Sequence, residues 1–308
     1  MTDRSLEALG LDGAPAEFPL TYPGRPVTEP ALLAGDELLP LRVRDGRLGT
    51  WGVVTAMDDP APDGGPDGGP DAAPSHEPGL DTVLDRLGRP RTGQRHPVIA
   101  VGSNASPAQL HHKFTRRGLP TAAPMVPVRV RGVGVGCSGH IGLHGYVAAA
   151  PYHAPDAELT LVISWLDTAQ LAAVDTTELN YLRVLLPGDA FPMTMPSGER
   201  LGGAYLYVSV HGVLIDRHSG RPLPGGGDQW ALLGRLLAAS PDLRGLLGPD
   251  PASWVARARA DEAVRAEGKR IFRSQGLLLT GSGLPAPEET GTPARRYDDL
   301  PPLSPGAP

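Results

Sequence analysis

Val98-Ile99-Ala100-Val101-Gly102-Ser103-Asn104-Ala105-Ser106-Pro107-Ala108-Gln109-Leu110 is the stretch on which the fold turns. An unbroken apolar run enters Gly102, where the chain can bend without a Cβ in the way. Ser106 stands where a helix N-cap is wanted, Pro107 suits the first helical position, and Gln109 sits three residues on, as in a capping box. Leu110 and Phe114 then share one helix face. The reading is strand, tight turn, helix. Such a junction presents backbone N–H groups at the turn and at the helix start, and those groups favour carboxylates and developing oxyanions. A plain strand-to-helix connection reads the same way locally, so both readings stay open.

Around this unit the sequence alternates between strand and helix signals. Val126, Val128 and Val130 alternate, but Val133 and Val135 have the opposite parity; a bulge near Gly132 accounts for the flip, since a one-residue slip exchanges the two faces of a strand. Further strands are expected over 146–150, 159–166, 181–186 and 204–210, with a short helix over 167–176. A helix is expected over 228–239. Asp250 before Pro251 signals another, running to about Arg273 with a mixed-charge, solvated face. Trp230, Leu233 and Leu237 read as packing residues.

The flanks differ in composition. Residues 1–57 carry short apolar pieces (Leu38-Leu39-Pro40-Leu41-Arg42-Val43 and Thr50-Trp51-Gly52-Val53-Val54) that read as two or three short strands. They are too few to bury a core alone and form a β-rich N-terminal attachment. Residues 58–79 include Pro62-Asp63-Gly64-Gly65-Pro66-Asp67-Gly68-Gly69-Pro70-Asp71, a flexible linker by composition. Leu80, Val83, Leu84 and Leu87 follow at helical spacing. The division expected is an extension (1–57), a linker (58–79), a main domain (80–248), a C-terminal helix (249–280) and a Pro-, Gly- and Glu-rich disordered tail (281–308).

Charge and composition narrow the function classes. Lys and Arg total 28 against 34 Asp and Glu, a net charge of −6. No basic cluster is present, which argues against a nucleic-acid partner. One cysteine, Cys137, excludes an internal disulfide and fits a reducing compartment. The N-terminus lacks an apolar signal core and no apolar run approaches the ~20 residues of a membrane span. A cytoplasmic protein without a membrane partner is expected. The sequence leaves the oligomeric state open.

Glu178 is the candidate catalytic residue. In Leu171-Ala172-Ala173-Val174-Asp175-Thr176-Thr177-Glu178, positions 171, 174 and 178 fall on one helical stripe. A carboxylate on that stripe would be poorly hydrated, which moves its pKa toward neutrality and suits general acid–base work. An exposed Glu at a frayed helix end, paired with Arg183, is the competing reading.

Other signals are weaker. Gly134-Val135-Gly136-Cys137-Ser138-Gly139 has G-x-G-x-x-G spacing but is followed by a Gly-rich stretch instead of a helix, so a dinucleotide site is not expected. His111 and His112 diverge on a helix, His140 and His144 lie in a loop, and no Cys or carboxylate completes a metal site with them. Cys137 reads as a small hydrophobe.

Taken in order, Gly102-Ser103-Asn104, then Val174-Asp175-Thr176-Thr177-Glu178 leading to Tyr181-Leu182-Arg183, then Gly203-Ala204-Tyr205-Leu206-Tyr207 resemble the gamma-glutamylcyclotransferase-like family. The resemblance covers roughly half the chain. It implies an α+β fold, a small mixed and partly closed β-barrel with flanking helices. It implies a cofactor-independent and metal-free enzyme that releases an amine from a gamma-glutamyl amide as 5-oxoproline forms. Glu178 would be its general acid/base, and Val101, Gly102, Ser103, Asn104, Ala105, Tyr181 and Tyr205 would bind the substrate. Two departures stand out: Val101 occupies the place of the family's loop tyrosine, and Leu179 follows the glutamate where the family often has Gly. A non-catalytic binding or scaffold member, or an amide hydrolase or acyltransferase using the same pocket, are the alternatives.

Overall fold

A computed structural model describes residues 3–54, 77–289 and 291–304. Three short strands come first: β1 (Ala31–Ala34), β2 (Glu37–Arg42) and β3 (Gly52–Val53). Helix α1 (Leu80–Arg86) follows, with Leu80 and Leu84 buried as their spacing requires. The central unit is β4 (His96–Ala100), the turn, and α2 (Pro107–Thr115). Two long strands come next, β5 (Ala122–Cys137) and β6 (Ala149–Leu166), then α3 (Thr168–Asp175), β7 (Tyr181–Pro187), β8 (Met193–Thr194) and β9 (Gly203–Ser209). The last part holds β10 (Val213–Leu214), α4 (Gln229–Ala239), α5 (Pro241–Leu247), α6 (Pro251–Ala260), α7 (Glu262–Ser274) and β11 (Leu278–Leu279).

The main sheet runs β3-β2-β1-β5-β6-β4-β9-β7, with β8 also on β5. Its pairings are antiparallel except for β4 with β9. The class is α+β. The expected partly closed barrel is corrected, because β3 and β7 end the path and do not pair with each other among the described residues. The N-terminal strands explain the open form. β1 takes the edge of β5 at Ala122–Met125 and β8 takes it at Arg129 and Val130, so the sheet extends sideways.

The parity flip in β5 has its expected cause. Its pairing with β6 shifts between Arg131 and Val133, and Gly132 sits at φ +81°. Val126, Val128, Val130 and Val133 consequently bury in one cluster with Ile99 and Trp165. The two strands expected over 146–150 and 159–166 are one strand, β6.

The N-terminal strands share that core: Leu32, Leu41, Trp51 and Val53 belong to the same cluster. The expected linker lies almost entirely outside the described residues, except for 77–79, where Glu77 pairs with Arg42 at 2.8 Å. The expected single C-terminal helix is two. Asp261 leaves helical geometry and its side chain accepts the Ala263 N–H, starting α7. Asp250 caps α6 as expected. Helices α4–α7 close a separate apolar cluster around Leu233, Leu247, Trp254 and Phe272. No helix among the described residues is long and apolar enough to cross a membrane.

The disordered tail is also corrected for the described part. Tyr297 is 1% exposed, meets Trp165 edge-on at 5.6 Å and lies under the Arg47 guanidinium. Its N–H bonds Arg95 O at 2.7 Å and its hydroxyl donates to Glu199. Composition averaged over the segment conceals this one aromatic anchor.

Candidate active site

At the end of β4 the chain passes Val101 and Gly102 into a 3-10 turn, Ser103–Ala105. Ala105 N–H closes it on Gly102 O at 3.0 Å. The N–H groups of Ser103 and Asn104 precede that first bond, so the turn itself does not consume them. Gly102 is required by close approach: a Cβ there would strike the Tyr22 hydroxyl and stand 3.3 Å from the Ala149 methyl. The capping expected at α2 is corrected. Ser106 makes no cap, its buried hydroxyl has no partner, and Gln109 reaches across to accept the Ala16 N–H at 3.3 Å. Packing by the N-terminal extension claimed the amide that a capping box would have used.

Helix α3 starts on a complete capping box between Asp167 and Gln170 and buries Leu171 and Val174. The helical path continues one turn past Asp175: Glu178 N–H bonds Val174 O at 3.2 Å, and Tyr181 N–H bonds Glu178 O at 2.8 Å. Glu178 therefore stays in line with the two core residues and turns toward the end of β4.

The surroundings of Glu178 differ from the apolar wall expected. Lys113, 7% exposed on α2, donates to Glu178 Oε1 at 2.8 Å and to Asn104 Oδ1 at 2.7 Å. The Asn104 amide donates to the same Oε1 at 3.0 Å. Three side chains thus form a closed triangle, and the carboxylate is charge-paired and fixed in direction. Arg183, the competing partner for Glu178, pairs with Asp175 at 3.6 Å instead.

This triangle opens on a cavity of about 640 Å³. Val101, Gly102, Ser103, Asn104, Glu178 and Tyr181 line it together. Ala105 and Tyr205 do not. Ala105 turns its carbonyl to Val27 N–H at 3.2 Å. The Tyr205 hydroxyl is occupied by Glu288 and by the Arg295 N–H of the tail. Tyr207, one side-chain repeat along the same face of β9, is that strand's tyrosine on the cavity, and its hydroxyl donates to Asp175 at 2.6 Å.

Sequence reasoning missed Lys113, Tyr22, Tyr146 and His140, all on the cavity wall. Lys113 left a faint trace: it follows Leu110 by three and precedes Phe114, at the margin of the buried face of α2. His140 accepts from or donates to Ser138 Oγ at 2.6 Å, and Ser138 in turn meets Ser209 at 2.7 Å. Burial, with His211 and Lys269 adding to it, lowers the His140 pKa to about 3, so the ring is neutral. Burial raises the tyrosine hydroxyls Tyr22, Tyr146, Tyr181 and Tyr207. The wall therefore sets neutral phenols beside the charged triangle, with His112, Arg116 and Arg117 on the same cavity. Cys137 lies off this cavity, and burial pushes its thiol up to about 12. The Gly134–Gly139 spacing falls on the end of β5 with no helix after it.

No family model and no curated protein matches the chain. Among solved structures, the chain is similar to the solution structure of an Arabidopsis thaliana protein. The identity is 19% and the TM-score 0.31, over 47% of this chain and 78% of that one. It is also similar to a gamma-glutamyl cyclotransferase at 12% identity and a TM-score of 0.30, over 63% of this chain and 94% of that one. At these values neither likeness assigns an activity to this protein.

Proposed function

We propose that this protein is a gamma-glutamyl cyclotransferase-type enzyme, with Glu178 as general acid/base. The observation that carries the reading is the meeting of a fixed carboxylate, Glu178, with the turn after β4 on one cavity wall. Glu178 takes a proton from the α-amino group of a gamma-glutamyl amide. The freed amine attacks its own γ-carbonyl carbon, so a C–N bond forms and closes a five-membered ring. The original amide C–N bond then breaks, the carbonyl re-forms, and the proton passes from Glu178 to the departing amine. The products are 5-oxoproline and a free amine. Nucleophile and electrophile share one molecule, so proximity supplies much of the rate advantage. The N–H groups of Ser103 and Asn104 are the donors for the oxyanion. Lys113 and Asn104 aim the carboxylate. The scheme uses side chains and main-chain donors alone, and the lone buried cysteine suits a cytoplasmic setting.

Incubation with a panel of gamma-glutamyl amines, followed by mass-spectrometric detection of 5-oxoproline, tests this reading. Wild type is expected to produce it from at least one amine, and Glu178→Gln to lose about 10²–10⁴-fold in rate. Glutamate as the product would replace cyclotransfer by hydrolysis. Full activity in Glu178→Gln would end the proposal.

A further inference from the structure

The N-terminal extension reaches the cavity wall at Tyr22. The residue is 6% exposed, its ring stacks on Tyr146 with centroids 4.3 Å apart, and it packs beside Val101. Its hydroxyl oxygen accepts the Ala149 N–H at 2.7 Å. Tyr181 donates to the carbonyl of the same residue at 2.9 Å, so both phenols are tied to the start of β6. The Tyr22 hydroxyl also lies against Gly102, at the point where any Cβ would collide with it.

These contacts fill the acceptor side of the hydroxyl. The oxygen is occupied by a main-chain donor, while the hydrogen has no acceptor among the described residues. A buried phenol whose acceptor side is filled and whose donor side is free loses a hydrogen bond it had in water, unless something in the cavity accepts it. Burial, reinforced by Tyr146 and by Glu178, holds the hydroxyl protonated. The free donor lies against Gly102, the residue that leads into the turn, and the ring lines the same cavity as Ser103 and Asn104. Val101 packs against the cluster that holds the Tyr22 ring.

We infer that Tyr22 is a third donor to the substrate carbonyl, so that the N-terminal extension completes the site. Its O–H and the N–H groups of Ser103 and Asn104 hold the γ-carbonyl oxygen as it becomes an oxyanion and release it when the carbonyl re-forms. No bond to the phenol is made or broken. The inference rests on the cyclotransferase reading above.

The test uses the full chain and the gamma-glutamyl amine that wild type turns over best. Tyr22→Phe keeps the ring stacking. Its kcat is expected to fall about ten- to a hundredfold, with KM within about threefold, since one oxyanion donor is lost. Phenylalanine also strips the Ala149 N–H of its acceptor, so 3-fluorotyrosine at position 22 serves as the second variant: it keeps the ring and the oxygen that accepts from Ala149 and makes the O–H a more acidic donor. There kcat is expected to change at least about twofold, with the thermal midpoint unmoved. A Tyr22→Phe kcat within twofold of wild type, or a kcat indifferent to fluorination, overturns the inference and leaves the cyclotransferase reading standing. Wild type that forms no 5-oxoproline from any amine overturns both.

Discussion

Arg95 and Lys113 flank the same strand–turn–helix unit, and both are almost wholly buried, 0% and 7% exposed. Their partners separate them. Arg95 donates to main-chain carbonyls: Pro90 O at 2.8 Å, Ala122 O at 2.8 Å and Trp165 O at 3.1 Å, with Gln170 beside them. It staples the entrance of β4 to β5 and β6, and it does not line the site cavity. Lys113 bonds only side chains, Asn104 and Glu178, at the wall of a large cavity. A charge bonded to backbone holds a fold in place. A charge bonded to movable groups beside open space can exchange partners when a ligand arrives.

Substitution should separate the two. Arg95→Met takes this donor from the buried Trp165 carbonyl, while Ala122 O keeps the Gln170 amide at 3.2 Å, so a loss of about 1–3 kcal/mol in unfolding free energy is expected in denaturant titration. Whatever fraction remains folded should keep its kcat. Glu178→Gln should differ in kind: its folded fraction loses activity, while the buried Lys113 ammonium, left without its counter-charge, costs up to about 3–5 kcal/mol in stability. Equal effects on both quantities in both variants would erase the distinction.

The next effect in size is a pH dependence. Burial lowers the pKa of His140 to about 3 from 6.5 in an unfolded chain. Above pH 6.5 the ring is neutral in both states and its contribution is complete. As pH falls below 6.5 the unfolded chain takes up a proton that the folded one refuses, so stability drops by about 1.4 kcal/mol per pH unit toward pH 3. His211, lowered mainly by burial, adds to the same acid limb. Unfolding free energies measured between about pH 6 and pH 4 should fall less steeply in His140→Gln. An unchanged slope would mean that the imidazole is hydrated.

The smallest contrast lies in the starts of α2 and α3. Asp167 caps α3 through Gln170 N–H at 2.8 Å, whereas the Ser106 hydroxyl is buried without a partner. Asp167→Ala should cost about 1 kcal/mol. Ser106→Ala should be neutral or stabilising by up to about 1 kcal/mol, because it removes an unsatisfied group. Thermal melts of the two variants would show it, and a destabilised Ser106→Ala would mean that the hydroxyl has a bonded water.

Local chemistry made much of this protein legible from its residues. The apolar run into Gly102, the parity flip at Gly132, the cap at Asp250 and the stripe from Leu171 to Glu178 each concern neighbours within a few positions. Backbone geometry alone converts such patterns into strand, bulge and helix. Tertiary structure alone decided that residues 22, 104, 113 and 178 share one wall, that Tyr207 and not Tyr205 faces it, that the sheet stays open, and that Tyr297 anchors the tail. These are meetings between segments distant along the chain, and they have no period to read. They follow from how sheet and helices pack, which brings a lysine on α2 and a glutamate beyond α3 within 2.8 Å of each other.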